Sequence, residues 1–185
     1  MQSLKATFLV LILGLFVLSS SLGRAADSSP ELLQAIENGN VMRAADLLQS
    51  GADPNTRDPL GRTALMYAGI NGQTHVMKIL IDKGANVNAE ALGFDGVTPL
   101  IASIIFGDPE AIRLLLLHGA NLHARDRSGR TALTWAKQRI QTAPPDRSRV
   151  PPNSPERNQH GHLMFATKKE VKEIIELLEG AGAVE

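Results

Sequence analysis

Nineteen acidic residues, nineteen basic residues, five histidines and no cysteine are the raw material for any chemistry in this 185-residue chain. Without a thiol there is no disulfide framework, no thiolate metal site and no cysteine nucleophile. His160-Gly161-His162 is the one local pair of imidazoles. Two ligands at that spacing hold a metal weakly, whereas zinc sites take three or four. The remaining histidines are scattered, and each has a structural explanation. His75 opens a helix, His118 lies at a helix C-terminus where a cation is mildly favoured, and His123 lies in a turn. There is no G-x-x-x-x-G-K-[ST] and no G-x-S-x-G, and the glycines are spaced for helix ends rather than for phosphates. No paired carboxylates or nucleophile with a base stand out. The expectation is therefore no catalytic residue, no cofactor and no metal. The balanced charge also lacks the basic excess of a nucleic-acid protein.

The regular spacing in this chain belongs to structure. Within Gly61 to Ala89, Thr63 is placed to cap a helix whose inner face is Leu65, Ala68 and Gly69. Asn71-Gly72 stops that helix. A second helix runs from about Thr74 to Lys83 with Val76, Met77, Ile79, Leu80 and Ile81 around most of its circumference. Two such short helices cannot bury their apolar surface alone, but stacked copies can. The copies are present. Thr-x-Leu recurs at Thr63, Thr98 and Thr131, and Gly-Ala followed by Asp or Asn recurs at Gly51, Gly84 and Gly119. Gly39, Gly72 and Gly107 precede that second series by 12 residues each time.

Three landmarks in one register, a period of ~33 residues and a Thr-Pro-Leu at Thr98 resemble the ankyrin repeat family. The resemblance runs from about Pro30 to the C-terminus. It implies an all-α solenoid of four helix-turn-helix units, at about 29–60, 61–93, 94–127 and 128–185. Two extra residues near Leu92-Gly93 should lengthen one hairpin finger. The last unit is interrupted over 141–166 by a polar stretch with Pro144, Pro145, Pro151, Pro152 and Pro155, so long that a functional or a disordered loop is expected. Leu163-Met164-Phe165 is placed to pin its far end. Arg43 and Asp46 in the first unit and Glu179 in the last stand where inner units are apolar, as open ends require.

Residues 1–25 fit no repeat. Lys5, an apolar run from Ala6 to Leu18 and Gly23-Arg24-Ala25 resemble a bacterial secretory signal peptide, with cleavage expected near Ala25. The apolar run is short for a span of ~20 residues. Removing Lys5 and Arg24 from the 19 basic residues leaves 17 against 19 acidic. The expected location is periplasmic or secreted, with no membrane segment in the mature form.

The ankyrin resemblance implies protein binding through a concave face of first helices and hairpin fingers. In register, that face carries Tyr67, Ile70, Asn71, Ile105, Phe106, Trp135 and Arg139, including the single Tyr and single Trp. Aromatic anchors beside arginine are common hot-spot chemistry. The finger tips carry Asn55, Arg57 and Asp58, then Asn88, Glu90, Phe94 and Asp95, then Arg125, Asp126, Arg127 and Arg130; for most of these a solvated rim with no partner is the competing expectation. The competing expectation is that the insertion folds over the aromatic row and buries it as core. The expected function is a monomeric, non-catalytic module that scaffolds, stabilises or inhibits another exported protein. Alternatives are an immunity-type toxin inhibitor, a secreted effector acting on host or rival proteins, and an enzyme whose site the insertion builds.

Overall fold

The computed structural model describes residues 28–106, 108–144 and 166–184. The segment 1–25, the pair His160/His162 and Leu163 to Phe165 lie outside the described residues, as does most of the Pro-rich stretch. Eight helices occur among the described residues: α1 (Ser28–Glu37), α2 (Val41–Gln49), α3 (Ala64–Ile70), α4 (Thr74–Asp82), α5 (Pro99–Phe106), α6 (Pro109–Leu117), α7 (Ala132–Thr142) and α8 (Lys168–Gly180).

The helix starts follow from local chemistry. The side chains of Thr63, Thr131 and Thr167 accept from the backbone N–H three residues on, at 3.3 Å each. Asn40 and Asp108 cap α2 and α6 in the same sense. Glu170 returns the favour at α8 by accepting from Thr167 N at 2.8 Å, closing a reciprocal cap. Pro99 and Pro109 stand at first helical positions, where no N–H is needed. Gly72 turns the chain between α3 and α4 at φ 65°, a conformation that costs glycine little.

Helices α1, α3, α5 and α7 form one layer, and α2, α4, α6 and α8 form the other, with each helix packed on its unit partner and on its counterpart in the adjoining unit. The core runs along the interface of the layers. Leu32 and Ile36, Leu65 and Met66, Met77 and Leu80, Ile101 and Ile104, Ile112 and Leu115, and Ile174 and Leu178 are buried in it. Each such side chain contributes about 1.5–3 kcal/mol when fully buried. Close approach of the first helices needs Gly69, because a Cβ there would meet Ser103 Oγ at 2.6 Å.

Antiparallel bridges Arg57↔Thr63 and Ala91↔Val97 close two of the fingers. Gly93, in the lengthened finger, lies against Leu60: its N–H donates to Leu60 O at 3.1 Å, and a Cβ would meet that oxygen at 2.7 Å. A side-chain ladder ties the units together. Asn55 donates to Gly84 O at 3.2 Å and accepts from Asn86 N at 2.8 Å. Asn88 repeats this one unit on, with Gly119 O at 3.1 Å and Asn121 N at 2.7 Å.

The ends of the stack are polar as expected, with Arg43 paired to Glu31 and Lys137 to Glu179 across exposed surface. Such pairs contribute little. At the last unit, α7 runs to Thr142, past the expected start of the insertion at 141. Its far end is met by Ala166, and Lys168 N donates to Pro144 O at 2.8 Å. Ala143, Ala166 and Val171 form a small separate core with Ile140 and Ile175. The two stems of the insertion are therefore held together at the base.

Candidate functional site on the first helices and fingers

Two clasps with one design organise the surface of the first-helix layer. On the finger leading into the second unit, Asp58 Oδ1 accepts from Leu60 N at 2.9 Å and Arg62 N at 2.8 Å. Its Oδ2 accepts from Arg62 Nε at 2.6 Å and from the Tyr67 hydroxyl at 3.0 Å. Arg62 also donates to that hydroxyl from Nη2 at 2.6 Å, and its guanidinium lies over the Tyr67 ring at 4.8 Å and the Phe94 ring at 5.7 Å. On the finger leading into the fourth unit, Asp126 Oδ1 accepts from Ser128 N and Arg130 N, both at 2.9 Å. Its Oδ2 accepts from Arg130 Nε at 2.8 Å and Trp135 Nε1 at 2.9 Å. Arg130 stacks over Trp135 at 3.8 Å.

Each carboxylate thus closes its own finger and aims an arginine and an aromatic ring from the adjoining helix. The Asp58 side chain is 9% exposed and that of Asp126 is 0%. Burial alone would raise both carboxyls. In each, the opposed effects of the donated hydrogen bonds and the arginine charge outweigh it and hold the group below the ordinary aspartate range. For Tyr67, burial and then the Asp58 hydrogen bond push the phenol up, so it stays a neutral donor.

These positions show how the expected residues are held. Asp58 is not a free finger tip, since its carboxylate is spent inside the clasp. Tyr67 and Trp135 are half-buried with their polar ends turned to the fingers, leaving ring surface rather than hydrogen-bonding groups for a partner. Asn71 is half-buried, and its amide donates to Ile36 O of the preceding unit at 3.3 Å, which makes it a stacking contact. Ile70 and Ile105 are half-buried and pack on the core edge. Phe106 ends α5, and its side chain lies outside the described set. Arg139 is half-buried on α7, where burial lowers its guanidinium below the ordinary value. Ala102, at the position of Tyr67 and Trp135 in the middle unit, is fully buried, so the aromatic row has a small residue at its centre.

On the fingers, Arg57 is exposed and spans two of them, donating from Nη1 to Gly61 O at 2.8 Å and Glu90 O at 2.9 Å. Arg125 makes the matching bond to Gly129 O at 2.7 Å. Glu90 and Asp95 are exposed. Asp95 has a left-handed backbone, φ 56°, and its carbonyl accepts from Arg127 N at 2.9 Å. Phe94 is half-buried under Arg62. Arg127 is exposed, with its stem beside Gly96. Arg62 was missing from the expected site, and Asp126 and Arg130 were expected only as finger tips, although the recurrence of Asp-x-x-x-Arg-x-x-x-x-aromatic at 58/62/67 and 126/130/135 is a signal in the sequence itself.

Among the described residues, no group of three or more His, Cys, Asp or Glu is placed to hold a metal ion. Among them, too, no helix is long and apolar enough to cross a membrane.

Comparison with known proteins gives this architecture its family. The chain is similar to the inactive serine/threonine-protein kinase TEX14 of Bos taurus, 33% identical over 106 residues, which is 57% of this chain and 7% of that protein. It is similar to zygote-specific protein 3 of Chlamydomonas reinhardtii, 33% identical over 129 residues, covering 69% of this chain and 34% of the other. An ankyrin repeat protein of Rickettsia felis is 35% identical over 95 residues, covering 51% and 31%. The chain thus spans a minor part of each of these relatives. Residues 32–126 match the family of ankyrin repeats in three copies. Such repeats are generally non-catalytic and bind other proteins. By that match and by its stacked helix pairs, this chain belongs to the ankyrin repeat family.

Proposed function

We propose that this chain is an exported binding module that engages another exported protein through its first-helix face and fingers, as scaffold, stabiliser or inhibitor. The observation that carries the reading is the row of half-exposed Tyr67, Ile70, Ile105 and Trp135 along the first-helix layer. Ring faces and aliphatic edges held by rigid clasps lose little conformational freedom on binding. Export rests on the basic, apolar and small-residue pattern of residues 1–25. The mature form would act as a monomer in the periplasm or outside the cell. The wider activities of the relatives named above belong to proteins mostly made of other sequence.

The test has two arms. Full-length chain with a C-terminal tag is expressed in a bacterium with an outer membrane, fractionated, and its N-terminus sequenced. The reading expects a periplasmic or secreted product that starts near Ala26, and a cytoplasmic product with Met1 intact would remove export. Mature protein is then passed through extract of the same compartment beside the Tyr67→Ala/Trp135→Ala variant. A single protein held by the wild type and lost by the variant is the expected result. Equal retention by both, with the variant folded, would remove the first-helix face from the binding role.

A further inference from the structure

The two clasps leave matching hydrogen-bonding groups without a bond among the described residues. Arg62 spends Nε on Asp58 and Nη2 on Tyr67, and its Nη1 has no partner among the described residues. Arg130 spends Nε on Asp126, and both its terminal nitrogens are unpartnered among the described residues. Their side chains are equally exposed, at 28%. Each guanidinium is fixed on one edge by a buried carboxylate and on one face by a ring, so its outer edge is presented in a set orientation. A guanidinium edge pairs best with a carboxylate, at little cost in lost side-chain freedom. Around these edges stand further exposed cations: Arg57 at the first clasp, and Arg125 and Arg127 at the second. The acids of the same two fingers, Asp58 and Asp126, are consumed inside the clasps. The finger between them differs: it carries exposed Glu90 and Asp95, with Val97 and Ala102 where the clasps have arginine and an aromatic ring.

We infer that the first-helix face takes an extended polypeptide segment bearing two carboxylates, one at Arg62 beside Tyr67 and one at Arg130 beside Trp135, with neutral residues between them. The inference rests on the binding role proposed above and adds the chemistry of the ligand. The clasps lie two units apart. Helices pack ~8–10 Å from one another, and an extended chain rises ~3.3 Å per residue, so the two carboxylates fall about five or six residues apart. Glu90 and Asp95, exposed on the middle finger, repel an acid in the middle of the segment. The arrangement selects acid, neutral run, acid rather than negative charge at large.

Random twelve-residue peptides displayed on phage are panned on the full chain. The expected result is enrichment of sequences with two Asp or Glu residues separated by that interval. A synthetic peptide of the enriched sequence, titrated against the fluorescence of the single Trp, should weaken roughly tenfold or more when either acid becomes Gln. The same loss is expected for Arg130→Gln. Exposed Arg127→Gln, which touches no clasp bond, should weaken the acidic peptide several-fold while leaving the Gln peptide unaffected. Enriched peptides without an acid pair that are lost on Ile105→Arg would overturn the inference and keep the binding face. Equal affinity for acid and Gln peptides would overturn it, as would full displacement by heparin or single-stranded DNA, which would mark plain polyanion capture. Failure to enrich any peptide also overturns it, while the proposed function stands or falls on the capture experiment.

Discussion

Replacing Asp126 by Asn tests whether the clasp is built as described. The carboxylate is fully buried and accepts four hydrogen bonds: Ser128 N, Arg130 N, Arg130 Nε and Trp135 Nε1. Asparagine keeps an oxygen for the two backbone donors. Its amide nitrogen then faces Arg130 Nε and Trp135 Nε1, donor against donor. A hydrogen bond to a charged group contributes ~1.5–3 kcal/mol, and two are lost. Arg130 keeps 28% of its side chain in water, which recovers part of that. The expected net loss is about 2–3 kcal/mol, read from urea unfolding followed by circular dichroism and by the single Trp. The pH dependence gives an independent check. The folded-state Asp126 carboxyl lies below its ordinary value, so its stabilising contribution is complete above an unfolded pKa of ~3.9 and is lost as pH falls through the lower folded pKa. The gap between wild type and Asp126→Asn should therefore narrow below about pH 4. The exposed control Asp95→Asn should lie within about 0.5 kcal/mol of wild type. If Asp126→Asn also lies there, or its deficit is unchanged in acid, the account of the clasp is wrong.

Other outcomes follow from single contacts. Gly69→Ala should cost about 1–3 kcal/mol by overpacking, and Ser103→Ala in the same chain should recover much of it, because Ser103 Oγ is the atom met at 2.6 Å; additive losses in a denaturant double-mutant cycle would contradict this. Asn88→Ala removes both bonds that tie one finger to the next unit, so unfolding should show a loss of about 1–2 kcal/mol, and a neutral effect would mean the ladder is mere decoration. Excising residues 146–164 and closing the gap with a short glycine-serine linker should leave the helical signal and melting midpoint nearly unchanged, since Pro144 O and Lys168 N already meet at the base; a collapse of the melting transition would show that the segment is part of the fold.

The family and the helix positions were legible because their signals are local. Thr63, Thr98 and Thr131 announce first-helix starts by capping chemistry, and the Gly-Ala series marks the second-helix ends. The broken fourth unit could be rejoined because Ile174 and Leu178 keep the apolar register of Ala111 and Leu115. The clasps were not read in advance because their members obey different rules in sequence. Asp58 looks like a turn residue and Tyr67 like a surface anchor, and only folding the finger back onto α3 brings carboxylate and hydroxyl to 3.0 Å. Asn55 and Asn88 likewise look like polar rim, although their equal distance from Gly51 and Gly84 hints at a shared task. Gly93 illustrates a close approach that no propensity encodes, since the partner oxygen belongs to Leu60 in another finger.

The most direct test of the central claim sets the two helix layers against each other. The second-helix layer carries its own exposed apolar residues, Met42 at 79% and Leu117 at 80%. Affinity for the captured partner would be measured by calorimetry for Ile70→Arg and Ile105→Arg on the first helices, and for Met42→Arg and Leu117→Arg on the second. The account predicts losses of tenfold or more for the first pair and near-native affinity for the second. Near-native affinity in Ile70→Arg and Ile105→Arg, with loss in Met42→Arg or Leu117→Arg, would place the partner on the opposite layer and contradict it.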